Sequence, residues 1–280
     1  MKDVCIGAGG SGKVYRIWKE EEGCFVVEKR SRESLLWEAF WLEKLQGFSV
    51  PCFYGVERKK GCWTIQMEYV TGRSLRQLLA EGKLDRLRRI SVMKSMVREL
   101  NRIRKNFPEI VFCDIKPANV MVNQRNEITL IDFGAITQPG AGKRCFGTKP
   151  YAAPELLQGN PGRKSDIYSI GQIMWQLNRK KKNLFFYFVI RPCIRKKEAR
   201  RTDNLDRIYR RISVAERAER WVQAIKYIRK KMFGIMLFLL VYIGIKKGYF
   251  SSEKIGLGWE EMKNMCRMLL FVKLGRSWLL

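Results

Sequence analysis

Two short runs, Asp114-Ile-Lys116-Pro-Ala-Asn119 and Asp132-Phe-Gly134, constrain this chain more than any other feature. They lie thirteen residues apart and together offer two carboxylates, an amide and an ammonium. A nucleotide triphosphate and its Mg²⁺ need such a set: a carboxylate to orient an attacking hydroxyl, a cation on the γ-phosphate, and hard oxygen ligands for the metal. Asp114, Lys116, Asn119 and Asp132 supply all four, so the chain is expected to transfer a phosphoryl group and to fold so that the two runs meet.

The rest of the pattern suggests a chain in two parts. Over the first seventy residues short strand-like runs alternate with turns: Asp3 to Ile6, Lys13 to Trp18, Cys24 to Lys29, Phe53 to Val56 and Cys62 to Glu68. One helix interrupts them, Glu33 to Leu45, with Leu35, Leu36, Ala39, Trp41, Leu42 and Leu45 at helical spacing on one face. From Ser74 onward the pattern turns helical. Leu84, Leu87, Ile90, Met93, Val97, Leu100 and Ile103 form a long stripe that ends before Pro108. The expected fold is α+β, with a small β-rich lobe at about 1–70 and a larger helical lobe at about 71–231. A hydrophobic content of 46% over 280 residues is enough for a real core, which excludes global disorder.

Charge narrows the partners. Lys and Arg number 55 against 27 Asp and Glu, a net of +28, and half of it is local: residues 178–231 hold 19 basic and 5 acidic side chains. This basic segment runs into Met232 to Ile245, fourteen residues without a charge, flanked by Arg229-Lys-Lys231 and Lys246-Lys247. A basic stretch beside an apolar one fits a cytoplasmic membrane face better than a nucleic-acid groove, so no specific nucleic acid is expected. A fourteen-residue helix reaches only about 21 Å across a hydrocarbon core of roughly 30 Å. Snorkelling lysines and local thinning make up the difference. The expectation is therefore a single span at 232–245, with a cytoplasmic catalytic domain at 1–231 and a tail at 246–280 of unassigned role; a buried helix, an in-plane anchor and a wholly cytoplasmic chain are the alternatives. The eight cysteines are scattered, with no CxxC pair and no His in the chain to complete a zinc site, and they are read as reduced thiols. No cleavable secretory signal is expected at the start of the sequence.

Gly7-Ala-Gly9-Gly-Ser-Gly12-Lys-Val14 lies between two strand-like runs, where a hairpin of bare backbone would close over phosphates. Such a cluster also serves as a plain turn. It nearly spells a Walker A loop, but Val14 stands where a Ser or Thr hydroxyl would bind Mg²⁺, which counts against a P-loop NTPase.

With these motifs in hand, residues 4 to about 177 resemble a eukaryotic-type serine/threonine protein kinase of the kind found in bacteria. The resemblance implies a two-lobed, protein-kinase-like fold, ATP and Mg²⁺ as cofactors, and protein substrates with Ser/Thr acceptors. It makes Lys29, in Val26-Val-Glu-Lys29, the strand lysine that pairs with the α/β-phosphates, and Glu38 its helix partner, with Glu43 as the alternative. It assigns Gly7, Gly9, Gly12 and Val14 to the nucleotide-covering loop. Met67 becomes the gatekeeper, and the backbones of Glu68 and Val70 become the adenine partners. Asp114 becomes the catalytic carboxylate, Lys116 the γ-phosphate cation, and Asn119 and Asp132 the metal ligands. Phe112-Cys113-Asp114 stands where the family has His-Arg-Asp, so the Arg that clamps an activation-loop phosphate is missing. Gly147-Thr148 through Ala153-Pro154-Glu155 resembles the end of the activation segment, with Thr148 bridging Asp114 and Lys116. Asp166 is expected to bond the catalytic-loop backbone. Ala215-Glu-Arg217-Ala-Glu-Arg220 resembles the late helix whose Arg pairs with the Glu of Ala-Pro-Glu. Two rival readings stay open: a catalytically silent kinase-shaped scaffold using the basic region for binding, and a small-molecule phosphotransferase of related fold.

Overall fold

The computed structural model describes residues 3–138, 147–179 and 184–247. The tail beyond residue 247 lies outside them, as do Cys145 and Cys266. The chain divides into two compact units, residues 1–217 and 218–280.

The first unit opens with a five-stranded antiparallel sheet: β1 (Val4–Gly9), β2 (Gly12–Lys19), β3 (Cys24–Ser31), β4 (Phe53–Lys59) and β5 (Cys62–Glu68), in the order β1-β2-β3-β5-β4. All five lie where strand-like alternation predicted them. β1 and β2 form a hairpin in register Gly9↔Gly12, so Gly10 and Ser11 make its turn. Gly12 sits at φ +124°, and an added Cβ there would collide with the Arg30 carbonyl oxygen. Only glycine closes this hairpin against β3.

Helix α1 (Leu36–Lys44) crosses the sheet. Ala39, Trp41 and Leu42, with Leu35 and Leu45 at its ends, are buried, and each of the three leucines contributes about 1.5–3 kcal/mol on leaving water. Leu36, expected on this face, is instead 51% exposed. It shares the outer surface with Trp37 and Phe40, one helical turn apart, because the buried positions occupy the opposite arc.

The helical lobe begins at Ser74. This residue ends the short strand β6 (Arg73–Ser74) and caps α2 (Leu75–Ala80) in a reciprocal box with Gln77. Asp85 caps α3 (Arg86–Asn106), whose stripe of Ile90, Met93, Val97, Leu100 and Ile103 is buried, while Leu87 is only partly so. Strand β7 (Val120–Val122) pairs with β6 on one side and with β8 (Ile128–Leu130) on the other. Helices α4 (Pro154–Leu157), α5 (Ser165–Arg179), α6 (Leu184–Ile190) and α7 (Leu205–Lys246) complete the description. The acidic residues of the basic segment tie it to α3 by ion pairs: Asp203 with Arg104 at 2.8 Å, Asp206 with Lys105 at 3.2 Å, and Glu216 with Lys94 at 2.7 Å.

The membrane span does not survive. Among the described residues no helix is long and apolar enough to cross a membrane. Met232 to Ile245 is the later course of α7, and any eighteen-residue window of that helix that contains the run takes in at least three of the flanking Lys and Arg side chains. The apolar run is too short, and its flanks too charged, for a hydrocarbon core.

The partner of Glu155 also differs from expectation. Neither Arg217 nor Arg220 fills that role; Arg201, in the loop before α7, does. Its guanidinium donates to both Glu155 oxygens at 2.6 and 3.0 Å, while Ser165 donates a third bond at 2.8 Å. The Arg201 side chain is fully buried. Burial alone would raise the Glu155 carboxyl, but the Arg201 and Ser165 bonds outweigh it and hold the group below its ordinary value of 4.5. A carboxyl lowered by folding stabilises above the unfolded value, and that contribution is lost as pH falls through the folded value. Glu155→Gln should therefore flatten the acid limb of the stability profile below about pH 4.5, read by urea denaturation at stepped pH. Arg201→Ala, which strands the carboxylate, should cost about 3 kcal/mol at neutral pH.

Candidate active site

Two clusters make the site. In the first, β3 delivers Lys29 and α1 delivers Glu38. Lys29 Nζ donates to both Glu38 oxygens at 2.8 and 2.7 Å and to Asp132 Oδ1 at 3.1 Å. Lys29 and Glu38 are buried, whereas the Asp132 side chain is 32% exposed and remains reachable. Burial pulls the Lys29 ammonium down, but the attraction of Glu38 and then of Asp132 outweighs it, and the net shift is upward. Burial, joined by the charge of Asp132, pushes the Glu38 carboxyl up against the lowering effect of Lys29, and the net shift is upward. The ammonium decides the pair: one cation facing two carboxylates keeps its proton. Glu43, the alternative partner, makes no bond to Lys29 among the described residues. Gly134 leaves room for this pair: an added Cβ would lie 3.1 Å from Glu38 Oε2, close enough to press on the carboxylate.

In the second cluster Asp114 is held from three sides. Lys116 Nζ donates to its Oδ2 at 2.6 Å, the Thr148 hydroxyl donates to its Oδ1 at 2.7 Å, and Lys116 also donates to Thr148 Oγ1 at 3.1 Å. Asn119 Nδ2 donates to the Asp114 carbonyl at 3.1 Å. The Ile131 N–H donates to the Asn119 carbonyl at 3.0 Å, which brings the residue before Asp132 beside the catalytic loop. Beneath lies Asp166, fully buried on α5, accepting the Phe112 and Cys113 N–H groups at 2.8 and 3.1 Å. Cys113 and Asp132 both sit in the left-handed backbone region, at φ +66° and +75°. Such strain persists only where surrounding bonds over-determine it. The Phe112 and Phe133 rings pack 6.5 Å apart in the core, so Phe112 stands in the loop as an apolar residue.

Gly7 pairs with Val14 across the hairpin, and an added Cβ at Gly9 would meet nothing within 4 Å. Met67 is buried against β3 and β4, and Val70 lies in the link after β5. Glu68 departs from expectation. Its N–H already donates to the Cys52 carbonyl at 2.9 Å and its carboxylate accepts the Cys52 N–H at 3.0 Å, so it has no free donor for adenine.

The sequence reading missed Trp37. Its indole donates to the Ile136 carbonyl at 2.7 Å and ties α1 to the chain after Gly134. Arg201 was missed as well. It is one of several cations between Arg195 and Arg201, and nothing in the local pattern marks it out.

A closed Lys–Glu pair, an aspartate at its edge, and a second aspartate held by Lys and Thr together define a fold family. A profile of the protein kinase domain matches residues 2–233. The chain belongs to the protein kinase family. Its kinase domain is 29% identical over 185 residues to the ankyrin repeat-containing protein kinase A of Dictyostelium discoideum, and 30% identical over 190 residues to the serine/threonine-protein kinase CTR1 of Arabidopsis thaliana. Each match takes in 61% of this chain but only 12% and 23% of those relatives, so the chain spans less than a quarter of their length.

The buried Asp166 gives this kinase domain a pH signature. Burial raises its carboxyl from 3.8 to about 6, against the Phe112 and Cys113 amides and Arg104, which lower it. Below pH 3.8 both folded and unfolded chains hold the proton; as pH rises towards 6 only the unfolded chain releases it, so stability falls through that window. Asp166→Asn should remove this downward slope, read as the urea midpoint on either side of the window.

Proposed function

We propose that the chain is an ATP- and Mg²⁺-dependent protein kinase that phosphorylates Ser and Thr hydroxyls of protein acceptors, with its kinase domain at residues 1–231. The simultaneous engagement of Lys29 by Glu38 and Asp132 carries the reading, because a silent scaffold has no need to bury Lys29 with Glu38 and hold a reachable Asp132 beside them. Asp114 accepts a bond from the acceptor hydroxyl and takes its proton. Lys116, already within 2.6 Å of that carboxylate, neutralises charge on the transferred group. Lys29 holds the non-transferred phosphates, with Glu38 fixing its direction. Met67, Val14 and the Gly7, Gly9 and Gly12 backbone enclose the nucleotide; Val70 supplies the adenine donor, and Glu68 contributes its carbonyl only.

The donor set fits Mg²⁺. Asp132 is a hard, reachable carboxylate and Asn119 a hard amide oxygen, while no group of three or more His, Cys, Asp or Glu among the described residues forms a metal cage of its own. Mg²⁺ favours one or two protein oxygens, completed by phosphate and water. When bound, the metal would neutralise phosphate charge. Specificity for Ser and Thr over Tyr rests on Lys116 two residues after Asp114, together with the likeness to the serine/threonine-protein kinase CTR1 of Arabidopsis thaliana.

Asp114→Asn should lower the turnover of protein phosphorylation by about 10²–10⁴ while leaving Mg·ATP binding intact. Asp132→Ala should abolish both. Phosphoamino-acid analysis should show phosphoserine and phosphothreonine, and wild-type chain that binds no Mg·ATP by calorimetry would return the scaffold reading.

Activity should not depend on an activation-loop phosphate. Cys113 stands where the clamping Arg would be, and the acceptors between Gly134 and Ala153 are occupied. Thr137 is 1% exposed, the Thr148 hydroxyl is bound to Asp114, and the Tyr151 hydroxyl donates to Gln176. Phosphatase treatment should leave the initial rate nearly unchanged, and a fall of about tenfold would overturn the idea.

A further inference from the structure

A groove of about 470 Å³ opens beside the reacting centre, walled by Arg76, Leu79, Lys116, Thr148, Tyr151 and Gln176. Lys116 and Thr148 are the two side chains that hold Asp114, so an acceptor hydroxyl offered to Asp114 brings its flanking residues into this groove. Among the described residues no carboxylate lines it. Its two charged walls differ in state. Lys116 is engaged by Asp114 and Thr148, while Arg76 is exposed on α2 and pairs with no carboxylate among the described residues. Its neighbours do pair: Glu81 takes both Arg73 and Lys83. Arg76 also acts into the groove, since its charge opposes the rise that burial imposes on the Tyr151 phenol. Ala118, also on the wall, offers no charge to offset it.

We propose that Arg76 is a specificity residue which selects acceptor segments carrying Asp or Glu beside the phosphorylated hydroxyl, a proposal that rests on the protein-kinase reading above. A guanidinium fork meets a carboxylate through two parallel bonds, a geometry that no other group of the groove provides. A basic acceptor would instead bring like charge against Arg76 and Lys116 in a chain of net charge +28.

The test uses the full chain and three fluorescein-labelled Ser peptides, identical except for flanking Glu, Gln or Lys. Fluorescence anisotropy should show the Glu peptide binding about tenfold more tightly than the Gln peptide, with the Lys peptide weakest. Arg76→Glu should reverse the order, Arg76→Gln should bring Glu and Gln peptides together, and Arg76→Lys should restore part of the preference. Arg98→Glu, an equal charge reversal on the exposed face of α3, should leave the preference within about twofold of wild type. In phosphorylation assays the Arg76 variants should change KM for the Glu peptide and leave kcat for the Gln peptide alone. Equal binding of Glu and Gln peptides to wild type, or an Arg98→Glu loss as large as that of Arg76→Glu, overturns the proposal and leaves only the general field of a basic protein. The binding arm needs no turnover. An inactive chain that still prefers the Glu peptide through Arg76 overturns the kinase reading and not this one.

Discussion

The buried contact of Lys29 with Glu38 is the constraint on which the described site depends. It joins a sheet strand, the single helix of the small lobe and the turn at Asp132, three elements whose hydrophobic packing alone would not fix their angles. Neither charge tolerates separation at this depth, because desolvation is offset only by the partner. Helix α1 must therefore sit close enough to the Asp132 turn for Gly134 to touch Glu38, and the Trp37 indole bonds the Ile136 carbonyl from the same helix. An ion pair, a close-approach glycine and an indole bond all report one position of α1.

A second anchor works through the backbone. Asp166 satisfies two amides of the catalytic loop that the left-handed turn at Cys113 would otherwise leave without partners in the core. The carboxylate is expensive to bury, as its upward shift to about 6 shows, and the two N–H bonds are what keep the cost tolerable. The strained backbone aims Asp114 outward, towards Lys116 and Thr148, instead of into the helices. The same turn carries Cys113 where protein kinases of the His-Arg-Asp type carry an arginine, and Asp166 holds the loop through the Phe112 and Cys113 amides.

The large positive charge is not spread evenly in its consequences. Acidic residues of the basic segment are used to fasten it to α3, and Arg201 is withdrawn into the lobe to hold Glu155. The apolar run that follows is continuous with the same helix, and its exposed Met232, Phe233, Leu237 and Leu240 belong to a segment bounded by lysines at both ends.

The sequence by itself determined the local elements and the residues on which the proposed chemistry rests. Strand alternation, the helical onset at Ser74 and the apolar stripe of α3 are short-range signals, and each lies where it was legible. Asp114, Lys116, Asn119 and Asp132 were legible as candidates because phosphate and Mg²⁺ restrict which residue types could serve. Tertiary structure alone decided the long-range partners. Arg201 was hidden among equivalent cations, since only its distance to Glu155 distinguishes it. Trp37 read as part of an apolar helix, the Glu68 amide read as available until Cys52 claimed it, and Leu36 read as core until the opposite arc of α1 met the sheet. The membrane span failed for a related reason: hydropathy describes a segment, but crossing a bilayer depends on the length of the helix between its charges. Periodicity is set by neighbours a few residues away, whereas pairing across 46 residues or 103 is set by how the packed elements meet, and no local pattern encodes it.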